Sequence, residues 1–369
     1  MKKVLIFGKF DIVHPGHIYL IKQAKQFGQV TAVLESDRMI KELKNYHPFN
    51  AEKIRSKNLK QFGVNVYLRN GEDAKTIIEK LKPDILCFGH DQEFLKQMFY
   101  DFTDLIIKNI EPFGPELFKS SRLLAVLEDE QAGVYLVDKA KSEHSFRLVA
   151  VFRKMFNLKK VGFSGTLDPL ASGLMIVAVS KATRMLDWFH YLPKTYVADI
   201  LFGQSSDTYD LAGQISIDKN AKSFSQKDLE IALRNFLGKQ KQTVPAYSAK
   251  KIRGQKLHQL ARAGKQIDLP KTDIEIYSLK IKSFRYPNLK LEVSCSAGTY
   301  IRSLTNDLGK QTKTSALLAD LRRISIGDFN IKDALTLAEI NKDKLSKARI
   351  LPQDIIASLN QWFFRSPLW

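Results

Sequence analysis

The chain has 369 residues, too many for one ordinary core, so we expect two compact units of roughly 100–200 residues each. Hydrophobic residues make up 44% of the chain and charged residues 26%, which excludes a mainly disordered protein. Lys and Arg number 58 against 39 acidic residues, and the formal charge of +19 favours a polyanionic partner, with nucleic acid the first candidate.

Cysteine content and hydropathy indicate the cellular compartment in which the protein is expected. The two cysteines, Cys87 and Cys295, are far apart in the chain and can form neither a disulfide framework nor a cysteine-based zinc site. Two isolated cysteines are typical of a protein from a reducing compartment. The N-terminus reaches Asp11 before any long apolar stretch, and no later run approaches the roughly 18 apolar residues of a membrane span. We therefore expect a cytoplasmic protein with no membrane partner.

The first part of the chain, residues 1–127, alternates strand and helix patterns. A helical spacing of Ile18, Ile21 and Ala24 ends before Gly28, and a second helical pattern, DAKTIIEKLKP, is stopped by Pro83. This alternation predicts a Rossmann-like α/β/α domain with a parallel sheet. The β-prone runs that separate the helical patterns are 4–7, 30–34, 64–68 and 85–88.

After about Gly133 the chain shows long alternating strands at 196–203, 274–284 and 290–296. Between the first two, Ser225 with Asp228 three residues later predicts a capping box at the start of a helix that stops at Gly238. We expect a second domain over residues 130–355 with a mixed, mainly antiparallel sheet. Residues 1–127 carry 20 basic and 15 acidic residues (+5), which leaves 38 and 24 (+14) for the rest, so the second domain is the better candidate for binding a large nucleic acid.

A first motif, GKFDIVHPGHIYLIKQAK, follows the first predicted strand. In an open α/β sheet, ligands bind beyond the carboxyl ends of the strands, and helix N-termini favour phosphates. Two histidines, His14 and His17, flank Gly16 there and can converge on one phosphoryl group as it gains charge. The alternative is two surface histidines at the start of a helix.

The same stretch resembles the cytidylyltransferase-like nucleotidyltransferases, whose GxFDxxHxGH pattern it meets in full. GHDQ (89–92) and PFGPELFKSSRL (112–123) resemble later nucleotide-binding segments of that family. The resemblance implies transfer of a nucleotidyl group from CTP or ATP to a phosphorylated small molecule, with Mg²⁺ assisting; a domain that keeps the fold but has lost the chemistry is the alternative. The nucleotide-binding residues that it implies are Gly8, Phe10, Asp11, His14, Gly16, His17, Asp91, Ser120, Ser121 and Arg122.

A second motif, VGFSGTLDPLASG (161–173), places Asp168 on a loop between small residues and a proline. Such a loop is rigid and suits a carboxylate that must act alone. The alternative is a turn aspartate that accepts a hydrogen bond from a neighbouring amide.

Six blocks, in order and with similar spacing, resemble the TruB-type tRNA pseudouridine synthases. The resemblance implies isomerisation of one T-loop uridine of tRNA to pseudouridine without a cofactor. The blocks are GVYLVDKAKSEHSFRLV (133–149), GTLDPLASG (165–173), KTYVADILFGQSSDTYDLAGQI (194–215), VPAYSAKKIRGQKLHQLARAG (244–264), CSAGTYIRSLTNDLG (295–309) and LADLRRISIGDF (318–329).

This resemblance assigns roles by position. Asp168 would be the catalytic carboxylate that attacks the target nucleotide, and Arg302 would pair with it. Tyr196 would stack on the flipped base and has also been assigned the role of a base in the family. The residues that would shape the RNA-binding pocket are Lys139, Tyr300 and Leu321. The alternatives are a strand-packing aromatic for Tyr196, a surface charge for Arg302 and ordinary core positions for the pocket residues.

The chain departs from the family pattern twice. Phe163 stands where a histidine is usual, so base extrusion is expected to be handled differently. The chain ends at QWFFRSPLW, where many relatives continue into a small RNA-binding domain, so we expect that domain to be absent. Its phosphate contacts are expected from the basic segment 250–266, including Lys250, Lys251 and Arg253. A solvated basic helix is the alternative for this segment.

Three functions remain open on the sequence. The first is an RNA-modifying isomerase with an appended nucleotidyltransferase-like domain. The second is a tRNA folding helper without chemistry, and the third is a metabolic nucleotidyltransferase that is tethered to tRNA. We favour the first because binding alone does not require Asp168, Tyr196 and Arg302.

Overall fold

Two units make up the protein, one formed by residues 1–133 and 350–369 and the other by residues 134–349. The structure is a computed structural model that describes residues 1–44, 47–89, 92–252, 254–263 and 268–366. No helix in these described segments is both long and apolar enough to cross a membrane. The thiols of Cys87 and Cys295 are free and buried.

A five-stranded parallel sheet, in the order β3-β2-β1-β4-β5, forms the centre of the first unit. Val4, Leu5, Ile6 and Phe7 in its middle strand are all buried, as the continuous apolar run predicts. The strands are β1 (Lys3–Gly8), β2 (Gln29–Glu35), β3 (Asn65–Arg69), β4 (Ile85–Phe88) and β5 (Ile106–Asn109). The predicted parallel sheet is therefore confirmed.

Six helices connect or follow these strands. Pro15 occupies the first turn of α1, where its missing N–H costs nothing, and Asp73 caps α4 by accepting a hydrogen bond from Thr76 N at 2.8 Å. Helices and strands alternate as the Rossmann-like prediction requires. The helices are α1 (Pro15–Lys25), α2 (Asp37–Lys44), α3 (Glu52–Lys60), α4 (Ala74–Leu81), α5 (Glu93–Gln97) and α6 (Ser120–Leu127).

The second unit is built on a ten-stranded mixed sheet whose main path is β12-β15-β16-β9-β17-β8-β6-β19. β18 pairs with β17, and β7 pairs with β8. Most strand pairs among the described residues of this sheet are antiparallel, as predicted, while β17 with β8 and β19 with β6 run parallel. The strands of this sheet are β6 (Gly133–Lys139), β7 (Val161–Ser164), β8 (Ala171–Val179), β9 (Lys194–Phe202), β12 (Gly238–Thr243), β15 (Lys271–Arg285), β16 (Asn288–Cys295), β17 (Ala316–Ile326), β18 (Phe329–Asn330) and β19 (Leu335–Thr336).

Two small hairpins and five helices complete the second unit. The helix expected at Ser225 has the predicted capping box with Asp228, and in β16 the alternating residues Leu291, Val293 and Cys295 are all buried. The hairpins are β10 (Gln204–Ser206) with β11 (Ile215–Ile217) and β13 (Lys251–Ile252) with β14 (Gln255–Lys256). The helices are α7 (Ser145–Phe156), α8 (Gln226–Arg234), α9 (Leu257–Arg262), α10 (Ile301–Gln311) and α11 (Lys342–Ala348), and 3₁₀ turns lie at Ser180–Tyr191, Ile331–Asp333 and Leu337–Glu339.

The last helix, α12 (Pro352–Arg365), belongs to the first unit, whereas the sequence placed residues up to 355 in the second domain. It packs on α1, and buried Asn360 donates from Nδ2 to Val13 O at 2.8 Å. Phe363 is 2% exposed and lies edge-on to Phe118, with ring centroids 6.1 Å apart. The apolar face of this helix is buried in the first unit, and its pattern alone does not reveal which unit receives it.

Truncating Phe363 tests whether α12 stabilises the first unit. Phe363→Ala removes a buried ring and should destabilise that unit by about 3–5 kcal/mol. Hydrogen exchange should then accelerate in β1–β5 while β15 and β16 remain protected. The matched control is Gln353→Ala, an exposed position on the same helix. Equal exchange in the two variants would show that α12 is not needed for the stability of the unit.

Candidate functional site

The loop between β7 and β8 presents Asp168 at the surface of the second unit. Leu167 is buried and is held by the Ser145 hydroxyl, which lies 3.4 Å from Leu167 N and 3.3 Å from Leu167 O. On the other side, Ala171 N donates to Asp168 O at 3.0 Å. The Asp168 side chain is 51% exposed, so its carboxylate is open to a ligand.

Arg302, in the first turn of α10, contacts this carboxylate. Its Nη2 lies 3.0 Å from Asp168 Oδ2, and its side chain is only 7% exposed. The guanidinium is also held by backbone oxygens, because Nη1 donates to Thr208 O at 3.0 Å and Nη2 to Tyr247 O at 2.9 Å. Arg302 therefore approaches Asp168 from a fixed position, and it is not a surface charge.

A second carboxylate, Asp210, shares the same guanidinium. Its Oδ2 lies 3.6 Å from Arg302 Nε, and its side chain is 6% exposed. Asp210 Oδ1 accepts hydrogen bonds from Thr208 Oγ1 at 2.6 Å and from Ala212 N at 2.9 Å. Sequence reasoning did not single out Asp210, although it is one of two aspartates in the block SSDTYDLAG.

Tyr196 and Lys139 lie close enough to Asp168 for its charge to affect their protonation. Burial raises the pKa of the Tyr196 phenol, so the group stays neutral at neutral pH. Lys139 is fully buried, and its ammonium donates to Ala140 O at 2.9 Å and Glu143 O at 2.8 Å. Burial lowers the pKa of Lys139, while the charges of Glu143 and Asp168 raise it.

The other two predicted pocket residues differ in exposure. Half-buried Tyr300 precedes α10 and exchanges hydrogen bonds with Gln242 through its backbone, at 2.8 and 3.0 Å. Leu321 is 8% exposed in β17, where it stands opposite Ala198 and Ala171 of the neighbouring strands. Leu321 is thus part of the hydrophobic core of the sheet.

The predicted basic segment begins three residues after Tyr247, which contacts Arg302. Tyr247, whose carbonyl accepts from Arg302, precedes a small hairpin in which Lys251 pairs with Lys256. Lys250 and Lys251 are both exposed, and Lys250 O accepts from Leu257 N at 2.8 Å. The predicted residue Arg253 lies outside the described residues.

An aromatic pair lies on the elements next to the Asp168 loop. Phe163, the departure from the family pattern, is half-buried in β7, the strand that precedes the loop. Phe146, which follows the Ser145 anchor, is 75% exposed and meets Phe163 edge-on with ring centroids 5.4 Å apart. This arrangement leaves an unusually exposed apolar ring beside the loop.

In the first unit, the two histidines of the VHPGH turn stack on each other at the start of α1. The ring centroids of His14 and His17 are 3.8 Å apart, with an angle of 22° between the ring planes. Burial, and then the neighbouring His17, lower the pKa of His14 well below its ordinary value. His14 is therefore a neutral imidazole at neutral pH.

Three other predicted residues shape this turn. Asp11 is buried, and its two carboxylate oxygens accept from Asn50 N at 2.8 Å and Phe49 N at 3.0 Å. A Cβ on Gly16 would lie 3.2 Å from the His14 ring, and one on Gly8 would lie 3.0 Å from the ring of Phe10. A larger residue at either position would press on the neighbouring ring, so glycine favours these close approaches.

The Ser120 helix lies next to the histidine turn. A Cβ on Gly16 would lie 3.4 Å from Cβ of Phe118, two residues before Ser120, which begins α6. Ser120 is half-buried, Ser121 is exposed, and Arg122 Nη1 donates to Glu116 O at 3.1 Å. The fold thus brings together the two motifs of this unit, while Asp91 lies outside the described residues.

Comparisons with known proteins match both units. Residues 153–301 match the TruB family pseudouridylate synthase (N terminal domain), and residues 5–144 match the cytidylyltransferase-like family. The tRNA pseudouridine synthase B of Caldicellulosiruptor saccharolyticus is 40% identical over 213 residues, which cover 58% of this chain and 74% of that protein. The protein of that name from Thermosipho melanesiensis is 37% identical over 218 residues, 59% of this chain and 71% of that protein. A solved Cbf5-Nop10-Gar1 complex aligns with a TM-score of 0.49 and 24% identity, covering 67% of this chain and 66% of that chain.

A double-mutant cycle tests the shared guanidinium. Arg302→Leu leaves the buried Asp210 carboxylate without its cation and should destabilise the second unit by about 3–5 kcal/mol. Adding Asp210→Asn removes that charge, so the double variant should be more stable than Arg302→Leu alone. Native-state hydrogen exchange of β9 and β17 measures the free energy of unfolding of each single variant and of the double variant. Strictly additive losses would contradict the coupling.

Proposed function

The chain belongs to the TruB family of pseudouridine synthases, and on this premise we propose that it converts a T-loop uridine of tRNA into pseudouridine. The observation that carries the proposal is the 3.0 Å ion pair between half-exposed Asp168 and buried Arg302. A carboxylate held in this way is oriented by a fixed cation yet open to a substrate. A folding helper that only binds RNA has no need of this pair.

The reaction balances without any external reagent. The bond between N1 of uracil and C1′ of the ribose breaks, the base turns, and a bond forms between C5 and C1′. The proton on C5 is lost and N1 gains one, so there is no net oxidation or reduction. In our proposal, Asp168 attacks C1′ of the target nucleotide as the bond between N1 and C1′ breaks, and the carboxylate leaves again when C5 of the turned base bonds to C1′. Arg302 keeps the carboxylate oriented throughout.

Tyr196 would contribute an aromatic surface for the detached base. Its phenol is neutral at neutral pH because burial raises its pKa, which favours stacking on the base over action as a phenolate. The pair of Phe146 and Phe163 would offer a second apolar surface next to the loop. A uridine that leaves a folded RNA loop needs such surfaces, because aromatic rings replace the lost stacking.

The basic hairpin would supply contacts to RNA phosphates. Lys250 and Lys251 are exposed, and their segment follows Tyr247, which holds Arg302. This placement puts positive charge next to the site where the uridine would enter. Each phosphate contact contributes about one unit to the slope of log affinity against log salt concentration.

Replacing the catalytic carboxylate tests the synthase proposal. Asp168→Asn removes the attacking anion but almost none of the positive surface, so tritium release from 5-tritiated uridine in T-loop RNA should fall at least 1000-fold. The affinity for tRNA should change less than threefold. Asp187→Asn is the matched control, because Asp187 is 52% exposed in the same unit. Substantial tritium release by pure Asp168→Asn would contradict the assignment of Asp168 as the attacking carboxylate.

A second activity is proposed for the first unit, the transfer of a nucleotidyl group from CTP or ATP to a phosphorylated small molecule. The observations that favour it are the stacked pair His14 and His17 and the closeness of Gly16 to the Ser120 helix. Neutral His14 would act as a hydrogen-bond donor to a phosphate oxygen. Ser120, Ser121 and Arg122 would bind the other phosphates.

A Mg²⁺ ion would be held mainly by the nucleotide in this proposal. The residues that the structure describes contain no group of three His, Cys, Asp or Glu side chains able to hold a metal. Mg²⁺ commonly binds through substrate phosphates and keeps several waters, so a protein cage is not required. The ion would neutralise phosphate charge, while the histidine turn orients the α-phosphate.

A variant that loses one activity and keeps the other tests whether the two proposed activities belong to separate units. His14→Ala should reduce pyrophosphate release from CTP or ATP, measured with a panel of phosphorylated acceptors, at least 100-fold. Pseudouridine formation should stay within twofold of wild type, because the synthase site lies in the other unit. Exposed His144 offers the matched control, His144→Ala. No pyrophosphate release by wild type with any acceptor would contradict an active transferase, and loss of pseudouridine formation would contradict independence.

A further inference from the structure

A buried arginine outside the predicted site connects both ends of the Asp168 loop. Arg323 is 2% exposed in β17, where it stands opposite Tyr196 of β9 on one side and Gly173 of β8 on the other. Its Nη2 donates to Gly165 O at 2.7 Å, and its Nε donates to Leu174 O at 2.7 Å. Gly165 is the first residue after β7 and Leu174 lies in β8, so one rigid guanidinium fixes the separation of the two sides of the loop.

The backbone on both sides of the loop packs closely against Arg323. Gly165 has a φ of +71°, and a Cβ there would lie 3.0 Å from Arg323 Nη1. Gly173 has a φ of +113°, and a Cβ there would lie 2.2 Å from the carbonyl oxygen of Arg323. Only glycine permits both the conformation and the approach at these two positions.

The same guanidinium also reaches the aromatic residue of the site. Arg323 is the register partner of Tyr196 across β17 and β9, and its charge opposes the rise that burial causes in the pKa of the Tyr196 phenol. Its further contact is Met175 Sδ at 3.1 Å. Arg323 therefore contacts both sides of the Asp168 loop and stands opposite the proposed stacking residue in the sheet.

We propose that Arg323 is a positioning residue for pseudouridine formation, which holds the 165–174 segment and Tyr196 in the arrangement that presents Asp168 to the target uridine. The inference rests on the proposed synthase activity. Arg323 need not touch the substrate. A positive charge alone does not suffice, because a lysine ammonium is a point donor and cannot reproduce the planar fork that spans Gly165 O and Leu174 O.

Single-turnover kinetics with enzyme in excess test this role. Arg323→Lys should lower the rate constant of tritium release about 100-fold, as a displacement of about 1 Å can do, while the Kd for tRNA changes less than threefold. Arg322→Lys is the matched control, because the adjacent Arg322 pairs with Asp138 at 2.6 Å and reaches the 165–174 segment only through the Ser172 hydroxyl at 3.3 Å, not through Gly165 or Leu174. The rate constant and the Kd of Arg322→Lys should both stay within threefold of wild type.

The rate constant distinguishes positioning from simple stabilisation, because at saturating enzyme it does not depend on the folded fraction. A rate for folded Arg323→Lys within threefold of wild type would overturn the proposal, as would an equal loss in Arg322→Lys. Arg323→Gln, which can still donate one hydrogen bond, replaces the lysine variant if that variant does not fold. Unfolding of both would make Arg323 purely structural and overturn the proposal. No release by wild type would instead refute the synthase activity itself.

Discussion

A guanidinium that is 7% exposed must find negative or polar partners, because burying an unpaired charge costs several kcal/mol. Arg302 meets this requirement with Asp168, Asp210 and the carbonyl oxygens of Thr208 and Tyr247. Those partners come from separate segments of the chain. The need to neutralise one cation therefore fixes the Asp168 loop, the SSDTYD turn and the segment before the basic hairpin relative to α10.

The two carboxylates in this network are not equivalent. Asp210 is buried and accepts further hydrogen bonds from Thr208 and Ala212, so its role is to hold the arginine. Asp168 is half-exposed and remains available to a ligand. The difference in burial thus separates a carboxylate that supports the arginine from one that is open to a ligand. Arg323 is a second buried guanidinium in this region. Its hydrogen bonds to Gly165 O and Leu174 O constrain the loop that carries Asp168.

Local sequence patterns predicted the structural features that depend on residues close together in the chain. The capping box at Ser225 and the alternation of Leu291, Val293 and Cys295 both appear in the structure. The contact between Asp168 and Arg302 was expected only from a family resemblance. Asp210 and Arg323 were missed because their importance lies in partners distant in sequence, at 92 and 158 residues respectively. The packing of α12 in the first unit was missed for the same reason, since an apolar helix face does not specify its partner.

The central claim is that the second unit carries out uridine isomerisation with its own side chains. The most direct measurement is tritium release by the wild-type chain from T-loop RNA containing 5-tritiated uridine, with EDTA present and no nucleotide added. The account predicts one tritium released for each RNA molecule, and none from an RNA in which the labelled uridine lies only outside the T-loop. Tight RNA binding without any release would contradict it and would favour a folding helper that lacks chemistry.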